Sequence, residues 1–521
     1  MSRTSLSGVL LASALLSLGV FTLACGGGSN VTPTPLGTIT ATQNPLVAQY
    51  AVVTGCDGQA MVEFGPDTTY GRSTAWYPVA GGYQATNILV AGMQASTTYH
   101  MRSQVNCFGN ILTSADQTFT TGTLPTTLLM PTLNVTRPSP SLTSPENPGV
   151  ESLSIITVNT PALVTDRDGH PIWYYDEGSG NSAVPFKLLN NGHMIMYVIR
   201  TTTDVLREID LAGNTIREID TATLGQAMQA AGFDFVPNTF HHDMLPLDNG
   251  HVIVLCNFEK DFTDLPGYPG TTAVIGDGIV DLDQNWNPVW AWNSFDYLDV
   301  NRHLNGLPDW THSNALVYSA TDGNILISMR HQSWVLKIDY NNGAGTGNVV
   351  WRLGYQGDFA LEQNSVATDD PSLWFSFQHF PWIISQNGPQ TTLNIWDNGD
   401  NRVLNSSGAI CLGSPTNPCF SRATTFEIDE SAMVANLLWA DPLSYFGVWG
   451  GSILQLENGN VEFDLNAPAA PPSPNVASQV EEVTQTPTPQ VVWQMDVLPS
   501  TSNAYRAYRI PSLYPGVTWQ Y

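Results

Sequence analysis

The chain has 521 residues, too many for one ordinary hydrophobic core, so two domains or one large repeat architecture is expected. Only 12% of the residues are charged and Gly (44) and Pro (35) are frequent, a composition that points to a turn-rich all-β protein and away from a helical one. The net charge of −27 argues against a nucleic-acid partner, and any anionic ligand must be captured by local donors working against the overall field.

Residues 1–25 read as a secretory signal. Arg3 supplies a short positive stretch, and Val9 to Ala24 form an apolar run too short for a stable span. Leu23-Ala24-Cys25 followed by glycines resembles a bacterial lipoprotein signal with Cys25 as the lipidated residue, although Thr22 stands where a Leu is usual. The expectation is an exported bacterial protein, periplasmic or an outer-membrane or cell-surface lipoprotein, that meets membrane only through this anchor. Export permits disulfides. Cys411 and Cys419 enclose a small Pro/Gly loop, and Cys56 and Cys107 fall in one N-terminal region, so all four are disulfide candidates among three connectivities. Cys256, inside an apolar run, reads as a buried free thiol.

After a Thr/Pro-rich linker (26–36), residues 37–122 alternate apolar and polar residues in short segments separated by turns. VEFGPDTTYGRST, LVAGMQASTTYHMRSQV and FTTGTLP resemble a fibronectin type III-like β-sandwich, with Tyr99 where such folds carry the tyrosine corner. No chemistry is apparent there, and a structural or spacing role is expected.

From 128 to 521 a repeat appears. One hairpin type ends in Trp, at Trp173, Trp290, Trp351, Trp439 and Trp493, and LREIDLAGNTIREI carries Ile216 instead. A second type has a polar Asn/Asp-Gly turn, as in DMLPLDNGHVIVL and NALVYSATDGNILIS. Two hairpins make a four-stranded antiparallel sheet, and six such sheets predict a six-bladed β-propeller. The Trp residues then serve inter-sheet packing. The first blade is expected to borrow its other strands from the C-terminus, closing the ring.

Aligning the second hairpin type by its turn puts His242, His312 and His379 just before the first strand of three consecutive blades. In a propeller those strands line the central channel, so three equivalent histidines converge near one mouth. His241 adjoins His242, and which of the two faces the channel is left open. Converging imidazoles suit a metal site or nucleophilic and acid/base work on an anion. Arg330, at the far end of the hairpin from His312, favours the second, because a cation beside a metal dication is unfavourable.

HHDMLPLDNG, DWTHSNALVYSATDGNILISMRHQSWVLKID, VVWRLGYQGDF, FQHF, WDNGDNR and YRAYRIPSLYP resemble the bacterial arylsulfate sulfotransferases (the arylsulfotransferase family) across most of 130–521. The resemblance implies a six-bladed propeller that needs no nucleotide donor or other cofactor. It moves a sulfuryl group from a phenolic sulfate ester to a phenol acceptor through a sulfohistidine, by ping-pong. His379 matches the nucleophile, and His242, His312 and Arg330 match the anion-holding and proton-handling groups. Asn314 is an expected extra donor, with His241 a further substrate-side candidate. The cysteine pair follows His379, whereas the family places a small disulfide before the nucleophile. The rival expectations are a cell-surface propeller that binds a metal or an anionic ligand through the same histidines, and a metal-dependent lyase or hydrolase.

Overall fold

The computed structural model describes residues 34–138, 145–156, 161–178, 180–414, 416–468, 475–499 and 501–520; Cys25 and the leader lie outside them. The described chain is all-β, built from many separate, almost wholly antiparallel sheets with few helices. Among the described residues no helix is long and apolar enough to cross a membrane.

The N-terminal strands form two sheets, one of them pairing Leu36–Ala41, Ala48–Val53 and Ala85–Val90. Strict burial alternation along Ala48–Val53 and Thr98–Cys107 turns one face of each sheet inward. The inward residues Tyr50, Val62, Phe64 and Met101 belong to one core that continues into the next part of the chain through Trp173 and Trp519. The Tyr99 hydroxyl accepts a hydrogen bond from the Gln94 N–H (3.0 Å). Cys56 is bonded to Cys107 and Cys411 to Cys419, while Cys256 is free and buried.

The rest of the chain makes six sheets in succession. Their innermost strands are β1 (Ser182–Leu188), β2 (Thr239–Pro246), β3 (Ser313–Ser319), β4 (His379–Asn387), β5 (Ser452–Gln455) and β6 (Asn503–Ile510). Each packs beside the next, and β6 pairs antiparallel with Val150–Ile156, which lies against β1. The C-terminal strand thus completes the sheet that the residues after 149 begin.

Four of the five recurring Trp residues link their sheet to its neighbour's outer turn, whereas the indole nitrogen of Trp351 is buried without a partner. The indole N–H of Trp173 donates to Leu211 O (2.8 Å), Trp290 to Gly345 O (3.2 Å) and Trp439 to Thr486 O (2.8 Å). Trp493 donates to Arg167 O (2.8 Å), which returns the series to the first sheet. Where Ile216 replaces Trp, the adjacent Arg217 takes over: it donates to Gln284 O and stacks on Trp286 (4.3 Å).

A helix and a long hairpin are among the elements with no counterpart in the repeat pattern. The helix Thr221–Ala231 starts at an Asp220 cap and stops at Gly232 (φ 89°), a left-handed position that suits Gly. The long hairpin Val252–Leu265/Tyr268–Leu282 runs beyond its sheet, and Ile275 bridges to the loop before β3: Ile275 N–H donates to Pro308 O (2.8 Å) and Trp310 N–H to Ile275 O (3.0 Å). That loop carries Asp309 and His312.

Candidate active site

His242, His312 and His379 lie where β2, β3 and β4 begin, and each strand is irregular there. Register slips between Phe240 and Met244, between Ser313 and Ala315, and between His379 and Trp382. The backbone is left-handed at His242 (φ 61°), His312 (φ 48°) and Phe380 (φ 44°). Such bulges re-aim side chains, and non-Gly left-handed residues cost about 1–3 kcal/mol each, so the surrounding sheets must hold them. The outcome is convergence. The His242 and His312 rings meet edge to face at 4.7 Å, and Tyr505 on β6 lies 5.5 Å from His242 and 6.2 Å from His379. His241 turns aside, with Nε2 3.1 Å from Asp277 Oδ1, so it is His242 that joins the cluster.

The tautomer of His379 follows from its partners. Asn398 Nδ2 donates to Gly447 O (2.9 Å) and Gly450 O (3.1 Å), which leaves Asn398 Oδ1 to accept from His379 Nδ1 (2.7 Å). The proton therefore sits on Nδ1. His379 Nε2 carries a lone pair and accepts the Gly450 N–H at 3.2 Å. Burial, and then the Arg330 guanidinium, hold its pKa well below the usual imidazole range, so the ring is neutral at neutral pH. Burial also depresses His242, with His312, His241, His379 and Arg506 adding to it.

Arg330 is held on several sides. One terminal nitrogen donates to His331 Nε2 (2.8 Å), the other to Val448 O (2.9 Å), and Phe377 lies 5.0 Å beneath the guanidinium. Asp400 Oδ1 stands 3.6 Å away. Arg330 Nε and Asp400 Oδ2 are both buried without a partner. Burial raises the Asp400 carboxyl to about 7 in spite of Arg330. His331 is fixed in turn by the Asp309 carbonyl at Nδ1 (2.8 Å), and burial and His312 lower it to about 4, so its Nε2 is an acceptor for Arg330. The Asp309 carboxylate meets His312 Nδ1 at 2.5 Å.

Deeper still, Asp243 bonds Lys187 (2.7 Å) and Arg506 (3.0 Å), with Asp243 and Arg506 fully buried and Lys187 partly so. Two cations share one carboxylate beneath the histidines. This is the local positive field that an anion would need in so acidic a chain, and it favours neutral imidazoles above it.

Asn314 is fully buried; its amide donates to Gln378 O (2.7 Å), next to His379, and its Oδ1 has no partner. Sequence reasoning did not single out Asp309, His331, Asn398, Asp400, Tyr505 or Arg506. The signals were the i, i+3 spacing in DWTH, the pair RH and the run WDNGDNR.

A family model described as arylsulfotransferase (ASST) matches residues 150–509. A curated relative, arylsulfate sulfotransferase AssT of Escherichia coli O6:H1 (strain CFT073), is 28% identical over 150 residues, covering 25% of this chain and 22% of that protein. The match thus spans about a fifth of the relative's length. Among solved structures, a Bacteroides caccae protein of unknown function (9% identity, 74% of this chain and 94% of that one, TM-score 0.31) is similar. So is the rhamnogalacturonan lyase PL11 of Bacillus licheniformis (8% identity, 94% and 91%, TM-score 0.30). Neither structural likeness is close enough to bear on function.

Proposed function

Because the chain belongs to the arylsulfotransferase family, we propose that it transfers a sulfuryl group from a phenolic sulfate ester to a phenol through a sulfohistidine on His379. The observation that carries this reading is a neutral imidazole whose Nε2 lone pair is free of its own proton and lies in the field of Arg330. Nε2 gives up the long Gly450 N–H bond and attacks sulfur, forming an S–N bond as the S–O(aryl) bond breaks. A protonated His312, its charge balanced by the Asp309 carboxylate, gives its proton to the departing phenolate oxygen. Arg330 and His242 hold the sulfuryl oxygens as charge shifts to the leaving group. An acceptor phenol then yields its proton to His312 and takes the sulfuryl group from Nε2 by the reverse path.

The six successive sheets, the Trp493-to-Arg167 link and the pairing of β6 with Val150–Ile156 support a six-bladed propeller (128–521) as the scaffold. Tyr99 bonding back to Gln94 supports a fibronectin III-like sandwich for 37–122. The leader ending at Cys25 is read as the signal of an exported lipoprotein, and two disulfides suit an oxidising compartment.

The test is phenol release from a chromogenic aryl sulfate with and without an added phenol. Release that needs the acceptor supports transfer; equal release without it means a sulfatase, and none means a binder. A metal-site reading draws on Asp309, His312 and His331, whose ligand atoms lie within 4.8 Å of one another. Arg330, bonded to His331, opposes a dication there. Metal analysis of the purified protein separates the two.

Asp400 adds a pH signature. Below about 7 its carboxyl is neutral; above, it becomes an anion beside Arg330 and competes with sulfuryl oxygens for the guanidinium. The second-order rate constant kcat/KM is expected to fall as pH rises through about 7, and Asp400→Asn to flatten that limb. An unchanged alkaline limb in the variant would rule Asp400 out as its source.

A further inference from the structure

Beside the transfer centre, on the other side of Phe377, lies a cleft of about 270 Å³ with no role in the reaction just described. Tyr355, Trp374, Phe375 and Phe377 contribute aromatic walls, Ile410 of the disulfide-bearing loop contributes one side, and Arg302 reaches it from below. A 150 Å³ apolar cavity accepts a benzene ring, so about 270 Å³ suits one ring with substituents.

Arg302 is the unusual member. Its guanidinium stacks 3.6 Å over Trp334, and one terminal nitrogen donates to Gln332 O (2.8 Å) and Oε1 (2.7 Å). The other, Nη2, is buried with no hydrogen-bond partner. Among the described residues, no carboxylate lies within ion-pairing distance of it, in a chain with 45 Asp and Glu against 18 Lys and Arg. Burial, with Arg352 adding, lowers its pKa to about 10 and leaves it charged at neutral pH. A half-buried cation without a counter-ion favours a ligand that supplies the missing charge. A second observation points the same way. Ser333 (φ 50°), Gln356 (φ 59°), Phe377 (φ 52°) and Asn401 (φ 49°) all line this cleft, and all hold left-handed backbone. Strain of this kind gathers at ligand sites.

We propose that this cleft binds an aromatic anion, its ring among Trp374, Phe375 and Phe377 and its charged group drawn to the Arg302 guanidinium. The role assigned to it, an aryl subsite beside the sulfuryl-transfer centre, rests on the reading of the previous subsection; the binding itself does not. Two sources share the chemistry, an aryl sulfate and a sulfur-free aryl carboxylate.

Calorimetry on the full chain distinguishes them, with 4-hydroxybenzoate, its uncharged analogue 4-hydroxybenzyl alcohol, and phenyl sulfate, the last on His379→Ala so that no turnover occurs. 4-Hydroxybenzoate should bind at least tenfold more tightly than the alcohol. Arg302→Gln should weaken it by about tenfold or more, the range for losing one charge-assisted contact. Ile410→Trp, which fills the cleft from its outer loop and leaves Arg302 in place, should weaken it likewise, so a folding defect in one variant does not decide the matter. Phenyl sulfate should respond to the same two changes if it shares the site; if it responds only to Arg330→Gln, the carboxylate is the source. Equal binding of acid and alcohol, or unchanged 4-hydroxybenzoate affinity in both variants, overturns the proposal. Absence of sulfuryl transfer with Arg302-dependent binding intact would count against the transferase reading alone.

Discussion

His379→Ala loses sulfuryl transfer by about 10⁴-fold or more, the scale seen when a nucleophile that acts with its partners as a unit is removed. The expectation rests on the tautomer. Asn398 is committed to two backbone carbonyls through its Nδ2, so only the Nδ1–H form of His379 satisfies Oδ1, and Nε2 must present its lone pair. Truncation to Ala also strands Asn398 Oδ1 in a buried site, a loss of about 1–3 kcal/mol that could mask the chemistry. His379→Asn is the control. Its amide N–H can reach Asn398 as Nδ1–H does, but it has no nucleophilic nitrogen. His379→Asn is therefore expected to melt within a few degrees of the parent and to be as inactive as His379→Ala. With the parent enzyme and no acceptor, one equivalent of phenol should be released in a burst, with the sulfuryl group retained on the peptide that contains His379. Either variant keeping more than a tenth of the activity removes His379 from the nucleophile's place.

How far the sequence carried the reading differs between fold and site. The alternation of Trp-ending and Asn/Asp-Gly hairpins corresponds to the sheets observed, down to the Asp322-Gly323 turn, where Gly323 has φ 70°. Local patterns of this kind are legible because a two-residue turn and a period of two are written within a dozen residues. That His242, His312 and His379 fall near the starts of three successive inner strands was legible for the same reason, although the left-handed residue is His242 and His312 in two of them and Phe380 in the third. Asn314 was less so. Two residues after His312, it would share that residue's face under strict strand alternation, but the register slip between Ser313 and Ala315 breaks the alternation and leaves its amide on Gln378 O. Tyr505 and Arg506 were hidden by distance: they reach the histidines only because β6 returns to pair with Val150–Ile156. Asp309 and His331 needed the long hairpin, which supports the loop at Ile275 and has no repeat signature.

Arg330→Gln is expected to lower kcat/KM by about 10²–10³, the loss typical of one preorganised donor to developing charge. Arg330→Lys should recover little of it. A Lys ammonium cannot bond His331 Nε2 and Val448 O from two separate nitrogens and still present a third donor, as the buried, unpartnered Nε of Arg330 can. A loss of this size could also come from disordered packing, so the discriminating readout is the acid limb of the pH profile. Arg330 is, after burial, the largest influence holding His379 below the ordinary imidazole pKa of 6.5. Removing a like charge stabilises the imidazolium, so the folded-state pKa of His379 must rise toward 6.5 in the variant. Transfer needs neutral His379 and is lost as pH falls through that pKa. The residual activity of Arg330→Gln should therefore begin to fall at a higher pH than that of the parent. A variant with the full rate loss but an unmoved acid limb would mean that Arg330 does not face the nucleophile, and the electrostatic account of the site would fail with it.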